Sequence, residues 1–441
     1  MTPEIKRRIE QIQNENVPDG YKKLNISNYI VPADWSEIHM DKLFKRLTRK
    51  NTVKNTNVLT ISAQHGLINQ QDFFNKTVAS EDKSNYFLLQ KGDFAYNKSY
   101  STGYPFGAVK VLEKYESGIV SPLYICFEKT EKNKCSDYYL HYFEGGFANR
   151  EIRAFAQEGA RNHGLLNIAT EDFFNMSLVC PPLPEQQKIS KILFAQDKVI
   201  AFKQKLLQEK KQQKKYLMRK LLSADGTSFM LNGVMIDKSL WKNEKLGNIL
   251  EFKNGVNSEK DKYGHGIKMI SVMDILSEQP ITFNSIKNSV EISEEDLKIY
   301  SVCNGDIIFQ RSSENYEDVG KSNVYLDEKT ATFSGFVIRG KKKHDYYPLC
   351  LNAILKTVSI RKQIMKKAAG AQHINIGQDS LASIIIKLPF LPEQQVIAKV
   401  LSAADKEIEL LQKSIEQEKQ KKKALMQLLL TGIVRVKIEE K

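Results

Sequence analysis

From Leu183 to Leu222 the chain carries no glycine and, past Pro184, no proline. Apolar residues return on a seven-residue grid at Leu193, Ile200, Leu207 and Leu221, and Lys214 breaks the series. From Leu391 to Leu430 the same grid reappears as Leu401, Ile408, Ile415 and Leu429, broken by Lys422. A proline-led start followed by so long an uninterrupted run predicts a helix in each place. At ~1.5 Å per residue each would extend roughly 55 Å. A heptad seam needs a partner helix, and the nearest partner is the other copy. The pattern therefore predicts an intramolecular antiparallel coiled coil, with Leu193, Ile200 and Leu207 facing Leu401, Ile408 and Ile415 as a set.

The two stretches repeat in spelling as well as in pattern. Each opens on the same box, Leu183-Pro184-Glu185-Gln186-Gln187 and Leu391-Pro392-Glu393-Gln394-Gln395, 208 residues apart. Identity continues at that offset through Lys191/Lys399, Leu193/Leu401, Asp197/Asp405, Ile200/Ile408 and Leu217-Met218/Leu425-Met426. An internal repeat of this length sets the architecture. The copies differ in charge. The first is rich in lysine (Lys203, Lys205, Lys210, Lys211, Lys214, Lys215, Lys220), and the second balances its lysines with Glu407, Glu409, Glu416 and Glu418.

The segments before each helix alternate short apolar bursts with turn residues. YFLL, GAVKVL, IVSPLYICF, DIIF and FVIRG read as strands, and each segment is expected to be a mixed α/β globule. The two globules echo one another. Trp35 opens one and Trp241 the other; KGDFAYNKS (91–99) matches NGDIIFQRS (304–312); Asn167-Ile168 matches Asn375-Ile376. The expected order is a first globule (1–180), a long helix (181–223), a second globule (224–388), then a second long helix with its tail (389–441). The first twenty residues find no place in this scheme.

Composition narrows the function. The net charge is +14, which favours a polyanionic partner, nucleic acid before an acidic membrane. Five scattered cysteines form no Cys-x-x-Cys pair, so neither a zinc knuckle nor a redox dithiol is indicated. Free thiols, the lack of a signal-type apolar core at the N-terminus and the lack of an apolar run of membrane-spanning length lead us to expect a cytoplasmic protein. A phosphate-binding Gly-rich loop, a dinucleotide fingerprint and an Asn-Pro-Pro-Tyr motif are missing, and the seven histidines show no ligand spacing. No catalytic residue, metal site or cofactor is expected. What stands out instead is hydrogen-bonding side chains on turn-like loops. They are Asn97, Lys98, Ser99 and Tyr100; Arg161, Asn162 and His163; Gln310, Arg311 and Ser312; and Gln372, His373 and Asn375. Arginine and lysine suit guanine edges and phosphate, whereas asparagine and glutamine suit adenine. These same residues also commonly cap turns. A coiled-coil adaptor binding only protein would share much of this pattern.

The paired Pro-Glu-Gln-Gln boxes, each opening a long helix, together with DFAYNKSYSTGYPFGAV, IVSPLYICF and GARNHGLLNI, resemble the specificity subunit of type I restriction–modification enzymes. The likeness spans nearly the whole chain. It implies that each globule reads one half of a bipartite double-stranded DNA target and that the paired helices fix the spacer. It also implies that two adenine-methylating modification subunits dock on the boxes and helices, that restriction subunits can join, and that this chain contributes recognition without catalysis. DIIFQRSSENYEDVG departs from the first-half pattern, and a DNA-recognition subunit of another restriction or methylation class would share the rest.

Overall fold

The architecture follows the repeat. The computed structural model describes residues 2–62, 65–71, 83–158, 166–223, 225–370 and 372–438. The two long helices are Leu183–Leu222 and Leu391–Leu430. The chain divides into two compact units: Met1–Phe202 with Ile415–Lys441, and Lys203–Ser414. Each long helix thus gives part of its length to each unit.

In the first unit, strand Ser36–His39 pairs antiparallel with Ser177–Cys180, so the chain enters and leaves the module side by side. A one-turn helix, Met40–Leu43, leads into a four-stranded antiparallel sheet ordered Phe44–Arg46, Ile125–Lys129, Phe94–Asn97 and Ala108–Val111. Hairpin Leu59–Ser62/Gly66–Asn69 and the pair Phe87–Gln90/Ser117–Val120 form further small sheets. Phe44, Phe94 and Phe127 pack ring to ring within 5.3 Å at the centre of the core. Ile189 and Leu193 from the first long helix and Met426, Leu429 and Leu430 from the second complete that core.

The second unit repeats this order. Strand Lys242–Lys245 pairs with Ile385–Leu388, and a one-turn helix, Leu246–Ile249, follows. The four-stranded sheet runs Leu250–Asn254, Val337–Lys342, Ile307–Gln310 and Ser322–Val324. Strand by strand this is the same connectivity as in the first unit, so the faint sequence echoes report a shared topology. Leu221 and Leu222 from the first long helix and Ile397, Ala398 and Leu401 from the second close its core. A hairpin, Ser228–Leu231/Val234–Asp237, turns on Asn232-Gly233, both at positive φ, as a tight Asn-Gly turn requires. Past it, the buried ammonium of Lys238 donates to the carbonyl of Lys220 (2.6 Å) and the Ser223 hydroxyl (2.9 Å), capping the first long helix.

The long helices run antiparallel in an intramolecular coil, but the apolar grid does not meet as one set of facing residues. Leu193 joins Met426 and Leu429 in the first core, and Leu401 joins Leu221 in the second. Ile200 and Ile415 are buried between them in the first unit, whereas in the second Ile408 is buried and Leu207 half-buried. The reason is direction: antiparallel helices place the start of one beside the end of the other. In the second unit Lys203 donates to Ser414 (2.8 Å) and Lys210 pairs with Glu407 (2.7 Å). The two breaks in the grid are also explained. Lys214 pairs with Asp405, and its repeat equivalent Lys422 pairs with Asp197 at 2.6 Å. Each lysine satisfies the acid at the equivalent position of the opposite helix.

The first twenty residues acquire a place. Helix Pro3–Gln13 is capped by Thr2. Arg8 donates to the Ile433 carbonyl (2.6 Å), and Tyr21 donates to that of Gly432 (2.7 Å). The N-terminal segment is thus tied to the tail beyond the second long helix. Among the described residues no helix is long and apolar enough to cross a membrane.

Candidate nucleic-acid interface

In the second module, two candidate clusters far apart in sequence become neighbours. Strand Ile307–Gln310 runs out into Arg311, and Ser312–Ser313 pairs antiparallel with Ile374–Asn375. Arg311 donates its backbone N–H to Phe336 (2.9 Å) and accepts from Ile376 (3.0 Å), while its guanidinium donates to the Gly335 carbonyl (3.2 Å). That contact uses one of the five donors an arginine carries. Ser312 donates to Asn375 Oδ1, and Asn375 Nδ2 donates to the His373 carbonyl (3.0 Å). The loop is tight: Gly370 sits at φ +140°, and a Cβ there would lie 2.0 Å from the His373 carbonyl oxygen. Only glycine fits this backbone. The turn leaves Gln372, His373 and Asn375 exposed. Gln310 is different. It is buried, its amide donates to the Ser312 carbonyl (2.9 Å), and its Oε1 has no partner among the described residues. It faces inward behind the cluster.

The first module places its cluster at the same strand end, but there Leu166–Asn167 pairs with Gln157–Glu158. Strand Phe94–Asn97 ends in Asn97, whose Oδ1 accepts from the Ser99 N–H (3.0 Å). The Lys98 carbonyl accepts from Leu166 (3.1 Å), as the Arg311 carbonyl accepts from Ile376. Tyr100 is exposed, and Asn97, Lys98 and Ser99 are partly so. Gly107, at φ +78°, allows its backbone to pass close to the Asn97 carbonyl, which a Cβ would approach to 2.2 Å. Arg161, Asn162 and His163 lie outside the described residues.

Sequence reasoning overlooked the exposed Lys366 and Lys367 at the end of helix Val358–Lys367, immediately before the Gly370–Asn375 turn. A lysine pair in a last helical turn reads as a partner for the helix dipole. Its position three residues before a glycine-bearing polar loop was the available signal.

The boxes at the helix starts turn part of their length inward. Glu185 is fully buried. It accepts from Trp35 Nε1 (2.9 Å) and from two nitrogens of Arg435 (2.8 and 2.7 Å). Glu393 is also buried and accepts from Trp241 Nε1 (3.4 Å) and from the backbone N–H groups of Asp237 and Phe390 (both 2.8 Å). Gln186 and Gln394 each donate back to the proline carbonyl five residues earlier, at 2.8 Å. These four side chains are therefore turned inward, because an acid able to take the tryptophan N–H anchors each module to its own helix. Only Leu183, Pro184, Gln187, Leu391, Pro392 and Gln395 of the boxes are exposed. The repeated spelling reflects a joint made twice.

Two modules of one topology, each bearing a loop cluster of hydrogen-bonding side chains and each anchored to a shared helix pair, define a tandem recognition protein. The type I restriction modification DNA specificity domain matches the chain twice, over residues 33–212 and 238–420. The chain belongs to that family. It is similar to a Methanocaldococcus jannaschii protein provisionally named the type I restriction enzyme MjaX specificity subunit. The two are 27% identical over 95% of this chain and 97% of that one. The type I restriction enzyme MjaVIII specificity subunit of the same organism is 26% identical over 73% of this chain and 76% of its own. Among solved structures, a chain from a study of complex assembly and conformational transition in a type I restriction–modification system shares the fold. Its TM-score is 0.58 at 13% identity, over 92% of this chain and 99% of that chain. The chain is thus a non-catalytic DNA-specificity subunit of the type I restriction–modification kind.

Proposed function

We propose that each module reads one half of a bipartite double-stranded DNA target. The modules are residues 1–180 and 224–388, and the helical segments 181–223 and 389–441 set the spacer between the halves. Two copies of an adenine-methylating modification subunit dock along the helices, the assembly leaves room for a restriction subunit, and the complex works in the cytoplasm. One observation carries this reading. The two modules share strand order and loop placement but carry different side chains at equivalent positions, with Asn97-Lys98 in one and Gln310-Arg311 in the other. A common frame with different contact residues is what two distinct half-sites require. Asn97, Lys98, Ser99, Tyr100, Arg311, Ser312, Gln372, His373 and Asn375 are the proposed contacts. Gln310 supports them from behind, and Arg161, Asn162 and His163 stand as proposed contacts on sequence grounds alone. Exchanging residues 1–180 for the matching module of a relative, then sequencing the methylated genome, tests the reading. One half of the methylated sequence should change and the other persist. A change in both halves, or in neither, would overturn it.

A further inference from the structure

Each long helix carries a second, outward-facing stripe that the coil does not use. On the first helix, within the first unit, it reads Lys191, Ala195, Lys198, Phe202. On the second, within the second unit, it reads Lys399, Ala403, Lys406, Leu410. The steps of four, three and four residues keep each set on one helical face. All eight residues are exposed, Phe202 to 69% and Leu410 to 54%. Three of the four positions are identical between the copies. Core packing cannot account for that identity, because none of these side chains enters a core. A large apolar side chain held in water at the same place in both copies, beside an identical Lys-Ala-Lys stripe, is a surface feature kept twice.

The copies differ around the stripe. Position 201 is alanine in the first helix, and its equivalent is Glu409. Glu409 accepts from Lys413 (2.5 Å) and pairs with Lys406 (3.4 Å). Val199, partly exposed, becomes Glu407, which is taken up by Lys210. Lys191 and Lys198 make no ion pair among the described residues. Over their full lengths the first helix carries eleven basic and three acidic residues, and the second seven and six.

We infer that the outward faces of the two helices dock two copies of one partner protein through an acidic, apolar-centred surface, and that the first helix binds its copy more tightly than the second. This rests on the proposed function and adds the chemistry and the inequality of the docking. A free cationic stripe ending in an aromatic residue complements an acidic rim around an apolar pocket. The self-paired stripe must first give up its own Glu409 contacts. A phosphate backbone would need only the charge and would make no use of Phe202 or Leu410.

The test is calorimetric titration of the full chain with the purified modification subunit of the same restriction–modification system, at two salt concentrations. Two steps should appear, the tighter one also the more salt-sensitive, because exposed charges are screened. Lys191→Glu with Lys198→Glu should weaken the tighter step by about tenfold or more and leave the melting temperature and DNA affinity unchanged. Glu409→Ala should strengthen the weaker step. Two equal sites indifferent to Glu409→Ala would overturn the inference. Loss of DNA affinity with subunit binding intact would overturn it in favour of a phosphate surface. If the unaltered chain failed to bind the subunit at all, the proposed function itself would fall.

Discussion

At the scale of single residues, buried charge and polarity show which side chains hold the fold and which are free to recognise. Glu185 is the clearest structural case. Arg435 gives it two hydrogen bonds, and Trp35 a third. Removing one partner leaves a buried carboxylate short of compensation, a strongly destabilising change. Because Arg435 is partly exposed, Arg435→Met should cost about 2–3 kcal/mol by urea unfolding, below the roughly 3–5 kcal/mol of a fully buried pair. His141 makes the stability depend on pH. Burial, helped by the nearby Lys422 ammonium, pushes its pKa down to about 4, against a weaker opposing pull from Glu144. The folded protein therefore refuses a proton that the unfolded chain accepts below about 6.5. Stability is unaffected by this group above about 6.5 and declines as pH falls from there toward 4, by about 1.4 kcal/mol per unit. Comparing His141→Leu with the unaltered protein across that window isolates the effect, and parallel profiles would refute it. Arg311 is one of the proposed contacts. Arg311→Ala should cost about 1–3 kcal/mol at one base position if the guanidinium reads a base. A uniform loss across sequences, with the salt slope reduced by about one, would assign it to phosphate instead.

At the scale of elements, the long helices combine two kinds of seam. Apolar positions at their ends belong to the module cores, and the polar breaks carry reciprocal ion pairs, Lys214 with Asp405 and Lys422 with Asp197. A polar group at a seam position favours one register over its neighbours, since a slip of one heptad would leave it unmatched. These side chains are only partly buried, so the net energy is small. A double-mutant cycle on Lys214 and Asp405 should give a coupling of about 0.5–1 kcal/mol. Exchanging the charges by Lys214→Asp with Asp405→Lys should recover most of the loss. Strictly additive single mutants would show that the pair contributes nothing beyond its separate residues. Leu193→Ala, by contrast, opens a cavity in the first core and should cost about 2–4 kcal/mol.

At the scale of the whole molecule, the repeat is the organising fact. A seven-residue insertion in each long helix keeps both heptad grids in phase; it should therefore leave both half-site sequences intact and change only the spacer between them, as methylome sequencing would read. The sequence by itself determined the two helices, their antiparallel coil, the tandem order of modules and the family. Heptad period, identity at a fixed offset and the paired boxes are local signals that survive divergence. Strand positions such as YFLL at Phe87–Gln90 and FVIRG at Val337–Lys342 were legible from local pattern, whereas IVSPLYICF, read as one strand, divides into Ser117–Val120 and Ile125–Lys129 in separate sheets. Tertiary structure alone decided what depends on contacts between distant residues. The boxes proved to be anchors because Trp35 and Trp241 come to rest on Glu185 and Glu393. The lysine breaks proved to be ion pairs because antiparallel packing brings each beside the acid of the opposite copy. Gln310 and Asn375 look alike as exposed amides in a turn-rich sequence, yet one is enclosed behind Ser312 and the other presented by the Gly370 turn. Pattern along a chain records which residues share a face; which of them meet water is fixed only when the faces close.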